Sequence, residues 1–354
     1  MTKRIEYIDA LRGFTMILVV AVHVYSLCFM QGNVKEYDLS YNNFFGLFRM
    51  PLFFFISGFV FYKNDRYWDF VTLKKFISNK IRVQLFSTLV FLFMFCLLYQ
   101  RDINYSVFDS QKSGYWFTYA LFIYFLLYIG LDKAICMLSR KTTFSNHTIF
   151  ISIVVGLLFF YFINNGVLLS ILTPRVTSLF SISKWQYFIF FSFGCFIHKY
   201  YINFLELHNL RYVKGLALII FVCTSICLFY QNNNHILYIH NYILKLVTAL
   251  LGIILVMILF KDNESHLSSS TKLGSCLQHI GKHTLDIYFL HYFFLPYNLE
   301  FIGEWLDKNP NPLLEFCMSL SLALIVIVCC LLVSKTIRIS PTLTYLLLGG
   351  KKIS

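Results

Sequence analysis

The chain has 354 residues, of which 58% are hydrophobic and only 13% are charged, and its mean hydropathy is +0.66. A soluble globular protein carries about 25% charged residues, so this composition excludes an ordinary water-soluble domain. The net charge of +13 would suit a nucleic-acid-binding protein. However, lysine and arginine lie in short segments between apolar runs and form no basic stripe, so we expect no nucleic-acid partner.

A helix that crosses a bilayer needs about 20 mainly apolar residues. On that criterion the sequence predicts an all-α, polytopic integral membrane helical bundle of about ten transmembrane helices. No long hydrophilic stretch interrupts them, so we expect residues 1–354 to form a single transmembrane domain with no appended soluble domain. The predicted spans are 12–30, 44–62, 81–99, 115–135, 148–163, 185–198, 213–230, 242–260, 284–302 and 313–334.

The connections between these spans indicate the orientation, because cytoplasmic loops are enriched in lysine and arginine. A cytoplasmic N-terminus places 21 of the 30 basic residues in inside segments and 6 in outside segments. We therefore expect both termini to be cytoplasmic in a multi-pass protein of the plasma membrane, surrounded by membrane lipids. The first span follows a basic start and lacks a small-residue cleavage site, so we interpret it as a retained helix.

The first predicted span contains Arg12 and His23. Eleven residues correspond to about three helical turns plus about 20°, so both side chains share one face, about 16 Å apart along the axis. Asp9 lies three residues before Arg12, near enough on a helix to pair with it. One interpretation is a snorkelling arginine and a hydrogen-bonded core histidine. We favour a functional site, because ionisable residues inside a membrane usually mark one.

These two residue types predict two different roles along the helix. A neutral imidazole accepts a proton from a hydroxyl group near neutral pH. A guanidinium group at the cytoplasmic end is suited to hold phosphate groups. The pattern therefore favours an elongated phosphorylated donor that lies along the helix with its reactive end near His23.

Other ionisable residues within the predicted spans leave two interpretations open. Arg49 contacts a substrate or forms a structural ion pair. His291 is a second catalytic or pore-lining residue, or it stabilises the bundle by a hydrogen bond; Asp286, five positions earlier, is not stacked with it. Lys245 is expected to snorkel. The sequence contains no CxxC motif and no cysteine–histidine cluster with zinc spacing, so no metal site is predicted.

Several motifs in order along the chain resemble the acyltransferase-3 family of membrane acyltransferases. The opening YIDALRG, with ten residues between Arg12 and His23, matches the arginine–histidine signature of that family. MPLFFFISGF in the second span, which includes Ser57, is close to its Pro-x-Phe-Phe-x-x-Ser-Gly pattern. The basic loop that ends in Lys80 and Arg82, the pair that begins at Trp116, and IYFLH at the end of which lies His291 resemble its later elements.

The resemblance implies a ten-helix bundle that uses cytoplasmic acyl-CoA, usually acetyl-CoA, as a donor substrate, with no permanently bound cofactor. The acceptor would be a hydroxyl group of a cell-surface or lipid-linked glycan. Carried over, His23 would be the general base or acyl relay, and Arg12 would bind the donor. Lys80 and Arg82 would contact the coenzyme A phosphates, although the residues after Arg82 depart from the family's pattern.

The remaining candidates have a supporting role or a structural one. Trp116 contacts a substrate or belongs to the interfacial belt in which tryptophan is enriched. Ser57 with Gly58 permits close helix packing, since no nucleophile elbow accompanies the serine. A polysaccharide-export or transporter component is the alternative function. It would favour broken helices and inverted repeats, and neither is evident in the sequence.

Overall fold

The structure is a computed structural model and describes residues 5–30, 41–63, 68–139, 146–234 and 241–349. Within these ranges every regular element is helical. Among the described residues, eight helical segments are long and apolar enough to cross a membrane, and the number rises to nine if one bent pair counts as a span. The eight are Glu6–Phe29, Phe44–Phe61, Phe70–Leu98, Trp116–Leu138, His147–Asn164, Arg211–Leu228, Asn241–Asp262 and Pro312–Ile337.

The α-helices are numbered in chain order. The first ten are α1 (Glu6–His23), α2 (Tyr41–Gly46), α3 (Arg49–Phe61), α4 (Phe70–Lys80), α5 (Ser87–Leu98), α6 (Ile103–Phe108), α7 (Trp116–Ser139), α8 (Asn146–Asn164), α9 (Val167–Ile171) and α10 (Pro174–Leu179). The others are α11 (Phe188–Lys199), α12 (Tyr201–His208), α13 (Arg211–Asn234), α14 (Asn241–Asp262), α15 (Lys272–Lys282), α16 (Thr284–Phe294), α17 (Glu300–Lys308), α18 (Pro312–Ile337) and α19 (Pro341–Leu347).

Shorter helical segments of other types connect some of these helices. Two are π-helical and continue α1 and α4 without a break, at Val24–Phe29 and Ile81–Phe86. Two are 3₁₀-helical, at Lys112–Gly114 and Ile182–Tyr187. Single-turn π segments inside α-helices are often found at functional sites.

Two of the ten predicted spans do not form single long helices. The predicted span 284–302 is wrong as one helix, because α16 ends at Phe294 and α17 begins at Glu300. Leu295 is extended (φ −68°, ψ 122°), the conformation that the following Pro296 imposes on its predecessor. The predicted span 185–198 corresponds to α11, which is too short alone and bends by 86° before the next helical segment. The count of ten therefore remains unconfirmed.

The chain divides into two compact units. The first comprises Met1–Phe53 and Asn203–Lys335. Within it α1 packs mainly on α15 and also contacts α14 and α16, while α13 packs on α14. Buried side chains of α1, among them Tyr7, Leu11 and Val20, form much of its core.

The second unit comprises Phe54–Ile202 and Thr336–Ser354. In this unit α8 packs on α11, and α19 packs on α5. The core is unusually aromatic, with Phe54, Tyr124, Phe188 and Phe191 all buried. Neighbouring rings here lie about 5–6 Å apart in tilted or edge-on arrangements, the geometry that aromatic pairs prefer.

Candidate active site

In the first unit, Arg12 and His23 both contact α16. Nη2 of Arg12 donates a hydrogen bond to Oγ1 of Thr284 over 3.1 Å, at the beginning of α16. Nε2 of His23 lies 3.3 Å from the hydroxyl oxygen of Tyr292, near the end of the same helix. The predicted common face of Arg12 and His23 is therefore confirmed, and α16 runs alongside α1 in the same direction.

Close packing of α1 on α15 fixes the position of Arg12. A Cβ atom on Gly13 would lie 2.0 Å from the carbonyl oxygen of Leu277, and one on Gly281 would lie 1.9 Å from that of Asp9. Only glycine permits this approach of the two backbones, as at other tightly packed helix pairs in membranes. The turn that joins α15 to α16 is thereby held beside Arg12.

Three rings meet at the other end of this helix pair. The ring centroids of His23 and His291 are 5.2 Å apart, as are those of His23 and Tyr292, and those of His291 and Tyr292 are 4.0 Å apart. His291 is 0% exposed, whereas His23 is partly accessible. The chain becomes π-helical immediately after His23. This cluster places two imidazoles and a phenol around one point deep in a predicted span.

The hydrogen bonds of His291 are asymmetric. Its Nδ1 lies 3.0 Å from the carbonyl oxygen of Ile287 and 2.8 Å from that of Tyr288, both in the preceding turn of α16. Its Nε2 is buried and has no hydrogen-bond partner among the described residues. One nitrogen of His291 therefore stabilises the helix, as one of its two predicted roles requires, and the role of a second catalytic or pore-lining residue stays a prediction.

The other ionisable residues of the first unit lie around this axis. Arg49 begins α3 and is close enough to His23 for their charges to interact. Asp9 is buried, and its pairing with Arg12 stays a prediction. Oδ2 of Asp286 accepts hydrogen bonds from Oγ of Ser334 over 2.6 Å and from Nδ1 of His283 over 3.1 Å. Asp286 thus connects α16 to α18.

The second unit contains Lys80 and Arg82 at the junction of α4 and its π-helical extension. Arg82 lines a cavity of about 1040 Å³, together with residues of α4 and α19. Its guanidinium carbon lies 4.6 Å from the ring centroid of Tyr345, and Nη2 donates to Oδ1 of Asn79 over 2.9 Å. The cavity is lined by Trp68, Thr72, Lys75, Phe76, Ser78, Asn79, Ile81, Arg82, Phe86, Tyr345 and Leu346.

Lys80 points elsewhere. Its Nζ lies 4.4 Å from the ring centroid of Phe125, and it is not among the residues that line the cavity. The second basic side chain of the cavity is Lys75. Asp69 caps the N-terminus of α4, and hydrogen bonds from the side chain and backbone of Thr72 hold the pKa of that carboxyl group below its usual range.

Trp116 and Ser57 also belong to the second unit. Trp116 stacks on Tyr187 with ring centroids 5.8 Å apart and an interplanar angle of 25°, and Nζ of Lys184 lies 4.7 Å from its ring centroid. This contact pattern makes Trp116 part of an aromatic and cationic cluster. Next to Ser57, a Cβ atom on Gly58 would lie 2.0 Å from the carbonyl oxygen of Phe191, which confirms the close helix packing predicted for the Ser-Gly pair.

Sequence reasoning missed three residues of these two sites: Thr284, Tyr292 and Lys75. Thr284 carries no charge, so a search for ionisable residues passes over it. Tyr292 directly follows His291, and in a chain with 24 tyrosines such a neighbour is not distinctive. Lys75 is one of several basic residues in the predicted loop between the second and third spans. Only the contacts of α16 and the lining of the cavity single these residues out.

Comparison with known families gives one finding that covers most of the chain. A family model described as an acyltransferase domain matches residues 5–334. No curated protein and no solved structure matches the chain.

Proposed function

The chain belongs to the acyltransferase-3 family, and from that premise we propose that this membrane acyltransferase is an O-acyltransferase. It moves an acyl group, for which we expect acetyl, from cytoplasmic acyl-CoA to a hydroxyl group of a cell-surface or lipid-linked glycan. The acceptor is reached from the outer side of the plasma membrane, with both termini in the cytoplasm.

One observation carries the proposal: Arg12 and His23 contact opposite ends of the same helix, α16. Acyl-CoA is elongated, with phosphates towards one end and the thioester at the other. A guanidinium group binds phosphate oxygens through two parallel hydrogen bonds, which a lysine cannot reproduce. Arg12 at the cytoplasmic end therefore binds the donor, while its thioester lies towards His23.

For Lys80 and Arg82 the expected role is contact with the coenzyme A phosphates, and the cavity beside Arg82, within the second unit, has a lining that suits a nucleotide. Arg82 and Lys75 supply positive charge for phosphates, and Trp68, Phe86 and Tyr345 supply ring faces for adenine. Lys80 has a supporting role, because its ammonium group lies against Phe125. Asp9, Arg49, Ser57, Trp116 and His291 are the further residues that we expect to position the donor, the acceptor or the reacting residues.

His23 is the residue that we place at the reacting atoms. It acts as the general base that takes the hydroxyl proton, or as the relay that carries the acyl group. Its partial accessibility, next to two buried rings, is consistent with either role. A positioned base contributes about 10²–10⁴-fold to the rate, so loss of this imidazole should abolish measurable transfer.

One test incubates membranes that contain the full-length protein with labelled acetyl-CoA and surface glycans. A second test compares the surface glycans of cells that carry the gene with those of cells that lack it. Mass spectrometry should show an increase of one acetyl unit that depends on the gene and is lost with His23→Ala. His266→Ala is the matched control, because this histidine is exposed and lies outside the site. Glycans of equal mass with and without the gene would contradict the proposed activity. Full acetylation by His23→Ala would contradict the role of His23.

A further inference from the structure

The tautomer of His291 follows from its neighbours. Carbonyl oxygens only accept hydrogen bonds, and Nδ1 lies within hydrogen-bond distance of two of them, at 3.0 Å and 2.8 Å. Nδ1 must therefore carry a proton and donate it. In the neutral ring the lone pair then lies on Nε2, the nitrogen that is buried with no hydrogen-bond partner in the part of the chain that the structure describes.

A buried acceptor without a partner costs about 1–3 kcal/mol, and such groups in folded proteins call for an explanation. Backbone hydrogen bonding already accounts for Nδ1, so it gives no reason for Nε2 to be left unsatisfied. The position of the ring does give one, since its centroid lies 5.2 Å from that of the partly accessible ring of His23. A hydroxyl group of the acceptor that binds beside His23 would donate the missing hydrogen bond.

We infer that His291 is a second catalytic residue, and that its Nε2 is the base that receives the proton of the acceptor hydroxyl group. This inference rests on the proposed O-acyltransferase activity and divides its two histidine roles. His23, which is partly accessible, carries the acyl group. His291 can take the proton without losing a hydrogen bond, because Nδ1–H keeps both carbonyl partners when the ring becomes charged.

The first step transfers the acyl group to His23. The lone pair of one His23 ring nitrogen attacks the thioester carbon, a carbon–nitrogen bond forms, and the carbon–sulfur bond breaks with its electron pair on sulfur. The proton of the other ring nitrogen passes to sulfur. The products are a neutral acyl-imidazole and coenzyme A as a thiol.

In the second step the acceptor oxygen attacks the acyl carbon while its proton moves to Nε2 of His291. The carbon–nitrogen bond breaks, and the electron pair returns to the ring of His23. That ring then takes the proton from His291, so both histidines end neutral and the ester leaves. The overall reaction converts an alcohol and a thioester into an ester and a thiol, with every proton accounted for.

The decisive variant is His291→Asn. The asparagine amide nitrogen occupies the position of Nδ1 and can still donate to the carbonyl groups of Ile287 and Tyr288, but nothing replaces Nε2. The measurements are single-turnover release of coenzyme A and multiple-turnover acylation of the glycan, with detergent thermal unfolding as a check on folding. If His291→Asn does not fold, His291→Gln serves in its place, because its amide reaches the Nε2 position but cannot accept a proton.

We expect the folded variant to release about one equivalent of coenzyme A per protein and to transfer acyl groups to glycan roughly 10²–10⁴-fold more slowly than wild type. The release should vanish when His23→Ala is added. Glycan acylation within about threefold of wild type would overturn the inference, since the loss of a base is expected to cost far more. Loss of the coenzyme A burst would overturn it too. Absence of acylation by wild-type protein would instead remove the proposed function itself.

Discussion

The hydroxyl oxygen of Tyr292 lies 3.3 Å from Nε2 of His23, although the two residues are 269 positions apart in the chain. This contact joins the first helix of the family signature to a helix near the end of the matched region. The contact restrains rotation of the imidazole ring, and a reacting histidine needs such a fixed orientation. A buried phenol also completes its own hydrogen bonding in this way.

Tyr292→Phe should lower kcat for glycan acylation while leaving the KM for acyl-CoA unchanged. One neutral hydrogen bond contributes about 0.5–1.5 kcal/mol, which corresponds to a roughly 2–10-fold decrease. Steady-state kinetics at saturating donor would measure it. Tyr212→Phe is the control, because this tyrosine is 72% exposed. Equal kcat values for wild type and Tyr292→Phe would mean that the contact has no role in orienting His23.

Arg12→Lys should raise the KM for acyl-CoA roughly 10-fold, because the ammonium group keeps the charge but loses the two-pronged contact with phosphate. Isothermal titration or a competition assay with coenzyme A would measure the effect. Thr284→Val removes the oxygen that accepts a hydrogen bond from Arg12 but keeps the shape of the threonine side chain. We expect this change to raise the KM for acyl-CoA less than about threefold. A KM for Arg12→Lys like that of wild type would exclude Arg12 from donor binding.

Arg82→Ala should weaken acyl-CoA binding by about 10–100-fold with little change in kcat, since charged hydrogen bonds contribute about 1.5–3 kcal/mol. Lys80→Ala is the comparison on the same helical junction, and its ammonium group packs on Phe125. We expect Lys80→Ala to lower the midpoint of thermal unfolding and to weaken acyl-CoA binding less than Arg82→Ala does. Stronger loss of binding in Lys80→Ala than in Arg82→Ala would reverse the assignment of the cavity.

Gly13→Ala should destabilise the first unit, because the new methyl group would collide with the backbone of α15. Overpacking costs about 1–3 kcal/mol, which should appear as a lower midpoint of thermal unfolding in detergent. Gly130→Ala is the matched control within a helix, since a Cβ atom there meets nothing within 4 Å. Similar midpoints for the two variants would contradict the close approach of α1 and α15.

Lys112→Ala should destabilise the second unit without changing donor affinity. Nζ of Lys112 donates to the carbonyl oxygens of Val107, Asp109 and Ser178 over 2.8, 3.1 and 2.9 Å. Removal of the ammonium group takes a donor from all three carbonyl oxygens, of which those of Asp109 and Ser178 keep a backbone N–H donor, and each lost hydrogen bond costs about 0.5–1.5 kcal/mol. Thermal unfolding would measure the loss, with exposed Lys308→Ala as control. An unchanged midpoint would show that water replaces the lysine.

Composition and residue spacing suffice to predict the class of protein and the positions of most helices. Eight of the ten predicted spans correspond to long helices, because about 20 consecutive apolar residues leave a chain in a bilayer no other way to satisfy its backbone. Helical periodicity also placed Arg12 and His23 on one face, which their shared contact with α16 bears out. Local spacing suffices for such conclusions.

The partners of residues such as His23 and Arg82 follow only from the tertiary structure. Pairings such as His23 with Tyr292, or Arg82 with Tyr345, join segments far apart in the chain, and no local pattern specifies them. The sequence also predicts one helix over 284–302 and not the break after Phe294. Apolar composition continues past Pro296, whereas the backbone before a proline cannot stay helical. Nε2 of His291 is buried with no hydrogen-bond partner among the residues that the structure describes, and its surroundings depend on the bonds of Nδ1 within α16 and on the packing of α1 against α16. Only the folded chain reveals it.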